Sequence, residues 1–409
     1  MKANIRFKAT AAAVLLTAGS WAAAQNVTLN VSAWKGGTAE PAAFPELIEQ
    51  FQKENPGITI KLDYVSRNDT TTIMSSRLQS GSGPDVMMVD RDLLRQWGGA
   101  GQLLDLGPEL LPKLTDDMKP QVQLKGKVYM QPMEVVGIGL FANQDLLKKA
   151  GVERAPRNVA EFKAACAKLN AAGIKPLLLP AKDGWGPAVF ALSMGLAPSV
   201  KAAPTFVDDA IAGKQKFSTN ANFVKAIGAL KELADAKCYE PKLSVGVDAW
   251  SLGMSEFQAG RVAMMPQGTW SLQKVPATIN FSFDPLPSLD GNGTGLDRLG
   301  TAWAINAGSK QVPAAKKWLA FWTKNANLGK FLQAEAAFSP FTQATMWTPK
   351  SAQAYADARK AGQTTDYPRG RLPAAFFQEA QKSMTALMLN MGQEPPAVLS
   401  RWDAAATQP

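Results

Sequence analysis

Histidine is missing from all 409 residues. That removes imidazole acid–base chemistry, Ser-His-Asp triads and most zinc sites in one step. Cysteine occurs only at Cys166 and Cys238, too few for a disulfide scaffold or a thiolate cluster. In an oxidising compartment the two are candidates to pair. Cys166, among the apolar positions of a helix, equally suits a buried free thiol, and spacing alone does not give the Cα separation a bridge needs. Five isolated tyrosines without histidine make a poor iron-capture set. Lys and Arg outnumber Asp and Glu by 44 to 34. They are scattered, with no run and no interleaved aromatic platform, so the charge describes a solvated surface rather than a nucleic-acid or membrane footprint.

Long apolar runs are also lacking. The charge-free apolar run near the N-terminus, Ala9 to Trp21, is too short for a bilayer of about 30 Å of hydrocarbon, which takes about 20 residues. It follows the basic Lys2, Arg6 and Lys8 and precedes Ala22-Ala23-Ala24. This is the pattern of a secretory leader cut before Gln25. No Cys follows for lipid attachment, so a protein free in the periplasm is expected. The remaining chain of about 385 residues exceeds what one core usually organises, which predicts two lobes.

The pattern alternates strand and helix. Val27 to Trp34 alternates in apolar character and ends at Lys35-Gly36-Gly37; Phe44 to Asn55 has helical spacing and stops at Pro56-Gly57. Ile58 to Tyr64 is a strand, Thr70 to Gln79 a helix, and Val86 to Val89 an apolar strand after the turn Gly81 to Asp85. This β-α-β-α-β order signals an α/β sheet with helices on both faces. Further on, strands are expected over 137–142, 176–180, 262–265 and 302–305. Helices are expected over 159–172, 223–236, 313–325 and, in two pieces, from Ala374 onward.

In order along the chain stand Phe51-x-x-x-Asn55-Pro56-Gly57-Ile58, Leu78-x-x-Gly81-Ser82-Gly83-Pro84-Asp85-Val86 and Gly101-Gln102-Leu103-Leu104-Asp105-Leu106. Then come Gly126-Lys127-Val128-Tyr129, Ala142-Asn143-Gln144-Asp145-Leu146-Leu147, and the block Phe257 to Trp270. Together these resemble the family 1 extracellular solute-binding proteins, which include maltose-binding protein. One departure is Phe141-Ala142-Asn143, where the family more often has Tyr-Asn. The resemblance implies two α/β lobes, each discontinuous, joined by three crossings near 133–136, 298–303 and 341–347. The first lobe would be 25–133 plus 302–343, the second 134–301 plus 344–409. It implies a carbohydrate ligand held between the lobes, an ABC permease as partner, no cofactor and no catalysis.

A sugar offers C–H faces to aromatic planes and hydroxyls to charged or amide groups. Trp270 and Trp185, in strand-end loops, are the leading stacking candidates, with Trp34, Trp303 and Trp250 behind them. Trp97, Trp318, Trp322 and Trp402 are expected in the core. Asp90 and Arg91 follow an apolar strand, where α/β crevices form, although Arg91 equally suits a surface pair with Asp92. Glu134 at the first crossing, Lys35 after strand one, and Arg369 and Arg371 in the late loop Tyr367 to Pro373 are further polar candidates; a solvated surface is the alternative for Glu134 and for one of the arginines. Gly268 would let the ligand approach the backbone, and Asp85 is expected to be a turn residue. Lys35, Arg91, Arg369 and Arg371 together also suit an anionic ligand such as a sugar acid or polyol phosphate. A secreted carbohydrate-acting enzyme, which would need two spaced carboxylates, is the other alternative.

Overall fold

A computed structural model describes residues 26–38, 42–342 and 348–408. The expected leader lies outside the described residues, as does most of the expected third crossing. Among the described residues no helix is long and apolar enough to cross a membrane.

Among the described residues there are thirteen strands: β1 (Val27–Ala33), β2 (Ile58–Tyr64), β3 (Val86–Val89), β4 (Gln123–Leu124), β5 (Lys127–Val128), β6 (Gln131–Pro132), β7 (Val135–Asn143), β8 (Lys175–Leu177), β9 (Val262–Gly268), β10 (Phe281–Asp284), β11 (Gly295–Leu299), β12 (Ala302–Ile305) and β13 (Thr364–Asp366). They form two main sheets, ordered β2-β1-β3-β12-β6 and β13-β11-β7-β9-β8, with β10 also on β7; β4 and β5 make a small hairpin. In the first sheet β1 pairs in parallel with β2, from Val27 opposite Ile58 to Ala33 opposite Tyr64. Parallel neighbours require a crossover, and the helix Phe44–Glu54 supplies it. Its Phe44, Leu47 and Phe51 sit on one buried face.

Each sheet has its own core. Under the first, Phe44 and Trp322 rings stand 5.2 Å apart and Phe51 and Trp318 5.0 Å apart. Trp303 completes this cluster with its ring 5.8 Å from Trp318. Fully buried there, it is not a ligand contact, contrary to the expectation; β12 runs through the middle of the sheet and turns its indole under it. Under the second sheet, Phe217, Phe223, Phe376 and Trp402 pack edge to face, and the Trp402 indole donates to Ser383 Oγ at 2.8 Å.

The chain passes between sheets where β6 gives way to β7 and returns where β11 gives way to β12. These passages are bonded side by side: Met133 N donates to Thr301 O and Gly300 N to Glu134 O. Val135 and Phe338 exchange both backbone bonds, joining a third segment to them.

Three elements differ from expectation. The helix expected over 313–325 ends at Trp322, and a further helix that was not expected, Asn325–Glu335, follows it. β9 continues to Gly268. Trp185 opens an 18-residue helix, Trp185–Ala202, whose nearly continuous burial left no amphipathic stripe to find. The cysteine question is settled as a Cys166–Cys238 bridge, with Cα atoms 5.1 Å apart, tying the helix Val159–Ala171 to the chain just after Ala221–Asp235.

Because that bridge closes a loop across 72 positions, its removal frees much unfolded-chain entropy. The Cys166→Ala/Cys238→Ala double variant should unfold with about 2–4 kcal/mol less stability in urea. An unchanged midpoint would show that helix packing alone holds this lobe.

Candidate functional site

β9 and β7 run antiparallel with Gly268 opposite Ile138, so β9 delivers Trp270 to the edge of the second sheet that faces the first lobe. There three indoles gather. Trp185 and Trp250 rings lie 5.1 Å apart, Trp250 and Trp270 6.0 Å, and Trp185 and Trp270 6.4 Å. Trp185 is buried beneath the group, Trp270 is half-buried, and Trp250 is 48% exposed. The cluster thus has an apolar floor and an open face, the surface a sugar ring stacks on.

Gln267, which sequence reasoning missed, sets this geometry. Its Oε1 accepts from the Trp270 indole at 3.0 Å and from Gly268 N at 3.0 Å, while its amide donates to Ala249 O at 2.9 Å beside Trp250. A fully buried amide inside a strand is visible in sequence only as a polar residue in an apolar run. Gly268 has a different role from the one expected. A Cβ there would lie 2.3 Å from the Trp270 ring, so the glycine makes room for the indole rather than for a ligand.

The charged candidates are drawn into pairs. Lys35 is buried and its Nζ donates to Glu134 Oε1 at 3.0 Å and to Glu335. Burial works to lower its pKa, but the two carboxylates together outweigh it and hold the value above that of an ordinary lysine. Glu134, also buried, accepts from Thr301 Oγ1 at 3.0 Å as well. Both therefore fasten the crossing, with Glu134 Oε2 left without a hydrogen-bond partner among the described residues. A one-dimensional pattern had no means of pairing groups 99 positions apart.

Asp90 caps the next turn through Leu93 N at 3.1 Å and accepts from Arg67 at 2.6 Å, so both its oxygens are in use. The Arg67 guanidinium lies 5.4 Å from the Trp34 ring centre, over a half-buried indole packed on the first core. Arg91 pairs with Asp366 at 3.2 Å, not with Asp92; Asp92 instead stands 3.6 Å from Arg369. Arg371 reaches Asp208 at 2.8 Å, and its carbonyl accepts from Arg95 at 2.7 Å. Gly370 sits at φ +81°, its backbone so close to Arg91 that a Cβ would fall 2.3 Å away. The loop Tyr367 to Pro373 is thus pressed against the end of β3 from the opposite lobe. Asp85, as expected, is a turn residue, accepting from Asn30 N and Ser309 Oγ.

The model of the family described as bacterial extracellular solute-binding protein matches residues 34–328. Among curated proteins the chain is similar to the maltodextrin-binding protein MdxE of Bacillus subtilis, 26% identical over 296 residues, covering 69% of this chain and 67% of that one. It is also similar to the multiple sugar-binding protein of Streptococcus mutans, 23% identical over 305 residues, covering 72% and 71%. Among solved structures, a family 1 extracellular solute-binding protein from Bifidobacterium longum subsp. infantis superposes with a TM-score of 0.76 at 21% identity, covering 93% and 99%. That last likeness establishes the shared two-lobed fold.

Asp366, between the lobes, has its pKa pushed up to about 6 by burial, which Arg91 and Arg371 only partly offset. Its unfolded value is about 3.9. With the folded value the higher, its stabilising share is complete below the unfolded pKa and is lost as pH rises through about 6. Since 23% of the side chain stays accessible, solvent trims the effect. Relative to Asp366→Asn, the wild-type protein should lose about 2 kcal/mol of unfolding free energy between pH 4 and pH 7.5. Parallel pH profiles from urea melts would contradict this.

Proposed function

We propose, given that this chain belongs to the bacterial extracellular solute-binding protein family, that it captures a carbohydrate between its lobes and delivers it to an ABC permease. The Trp185–Trp250–Trp270 cluster at the facing edge of the second lobe carries this reading. Three indoles meeting around an open face suit the C–H surface of a pyranose and little else of comparable size. The sugar-binding relatives from Bacillus subtilis and Streptococcus mutans support it.

Trp270 and Trp250 provide the stacking planes, with Trp185 as their support. Trp34, Arg91, Arg369 and Arg371 line the approach from the first lobe and the late loop. The lobes are 25–133 with 302–343 and 134–301 with 344–409, and the crossing segments act as the hinge. A ligand touching both walls stabilises the closed arrangement by its differential contacts. No bond is made or broken. The protein works in the periplasm after loss of residues 1–24.

The test is tryptophan fluorescence of the mature protein titrated with neutral mono- and oligosaccharides, glucose to maltotriose and raffinose among them, alongside sugar acids and sugar phosphates. A saturable response to at least one saccharide is expected, weakened at least about tenfold in Trp270→Ala. A folded protein that answers to none of them sinks the carbohydrate reading. Gln267→Ala should weaken the same binding while leaving the three indoles in place, because Trp270 then loses its only side-chain hydrogen bond among the described residues. Unaltered affinity would remove Gln267 from the site.

A further inference from the structure

We infer that the captured saccharide carries an anionic substituent and that Arg298 is the residue that receives it. The inference rests on the carbohydrate reading above and narrows its ligand class.

β11 pairs with β7 so that Leu296 stands opposite Ile138 and Arg298 opposite Val136. Gly268 of β9 faces the same Ile138 from the other side. Leu296, Ile138 and Gly268 therefore form one row across the sheet. Arg298 lies two residues beyond that row toward the first lobe, and so does Trp270. Neighbouring strands are about 4.8 Å apart, which separates the β11 and β9 tracks by about 10 Å, the span of a disaccharide. Side chains alternate along a strand. Asp297 accordingly points to the other face, where it meets Tyr355 and Arg359. Arg298 keeps the face of Leu296, above the core on which Trp270 packs.

The charges around Arg298 decide its role. Its electrostatic neighbours are Arg369, Asp90, Tyr367 and Asp92. The aspartates of this region each hold an arginine: Asp90 holds Arg67, Asp92 Arg369, Asp366 Arg91, and Asp208 Arg371. Of the six arginines here, four hold an aspartate, the exposed Arg95 is bonded to the Arg371 carbonyl, and Arg298 is left with neither. Among the described residues no carboxylate lies within ion-pair distance of it and its guanidinium makes no hydrogen bond. Its pKa is lowered, first by burial and then by Arg369. Half-buried and without a bonded carboxylate, its guanidinium keeps a flat fork free that matches a carboxylate or phosphate in two bonds. A neutral hydroxyl would satisfy donors but leave the charge. An acidic sugar ring stacked at the indoles, its anion about one ring away at Arg298, meets both demands.

The experiment is calorimetric titration of the mature protein with matched pairs: galacturonic-acid and glucuronic-acid mono- and disaccharides, their neutral galactose and glucose counterparts, and glucose 6-phosphate. The acidic partner of at least one pair is expected to bind about 10- to 100-fold tighter than the neutral one. The carboxylate and phosphate arms tell which anion it is. In Arg298→Gln that selectivity ratio collapses, while Arg298→Lys, which keeps the charge, retains part of it; circular dichroism melts confirm that both fold. Equal or better binding of the neutral sugars overturns the inference and leaves the carbohydrate reading standing. Selectivity that survives Arg298→Gln overturns the assignment to Arg298. A folded wild-type protein that binds no member of any pair overturns the anionic inference, while the carbohydrate reading is decided by the wider saccharide titration above.

Discussion

Charge that leaves water must find a partner, and this constraint organises the region between the two sheets. The first chain passage is fastened by Lys35 between Glu134 and Glu335, contributed by three distant stretches of sequence. On the far side of the second sheet, Arg359 joins Asp297 at 2.7 Å and Asp117 at 2.9 Å, linking the C-terminal segment to β11 and to the first lobe. Tyr355 fits beside them because Gly137 and Gly295 leave its ring space that any Cβ would fill, and its hydroxyl donates to Asp297 at 2.8 Å. Such buried pairs contribute little net stability compared with apolar residues of the same volume. Breaking one is expensive, however, so each fixes which segments meet.

The binding edge follows from the same framework. β7 is buried along its whole length and carries β9 on one side and β10 and β11 on the other. Whatever stands at the cleft ends of those strands is positioned by ladder hydrogen bonds rather than by loops. Arg298 gains its placement this way, while Trp270, in the turn Thr269–Lys274 just past the end of β9, is restrained by its bond to Gln267. The aromatic half of the edge is rigid and apolar, while the arginine half is held by ion pairs that reach across from the first lobe. The division suits a ligand with one apolar face and one charged or polar end.

The elements were largely legible in the sequence because periodicity and punctuation are local. Pro56-Gly57 ends a helix wherever the chain goes next, and Val86 to Val89 is a strand on its own composition. Trp270 was legible for a related reason: it follows a short apolar run ending in glycine. Trp303 was misread because nearness to a crossing in sequence says nothing about which side of a central strand an indole occupies. Lys35 and Glu134 looked like ligand groups because each seemed single; their partnership exists only in three dimensions. Arg298 was passed over for the converse reason. Nothing in Gly295-Leu296-Asp297-Arg298-Leu299 shows that the neighbouring aspartates are already engaged elsewhere.

The two kinds of ion pair also divide the labour of the proposed closure. Lys35, Glu134 and Arg359 are largely sealed from solvent and sit at the crossings, where they hold segments together whatever the angle between lobes. Of the pairs spanning the cleft, Arg91–Asp366 is largely covered, whereas Arg369 and Asp92 are both about half exposed. An exposed contact of the latter kind is worth about 0–1 kcal/mol, so it guides the lobes into register without locking them. The decisive energy of closure is then left to the ligand, whose contacts with the indoles of one lobe and the polar wall of the other exist only when the lobes meet. A fold that fastened its cleft as firmly as its hinge would close without cargo and lose the distinction between loaded and empty that a permease has to read.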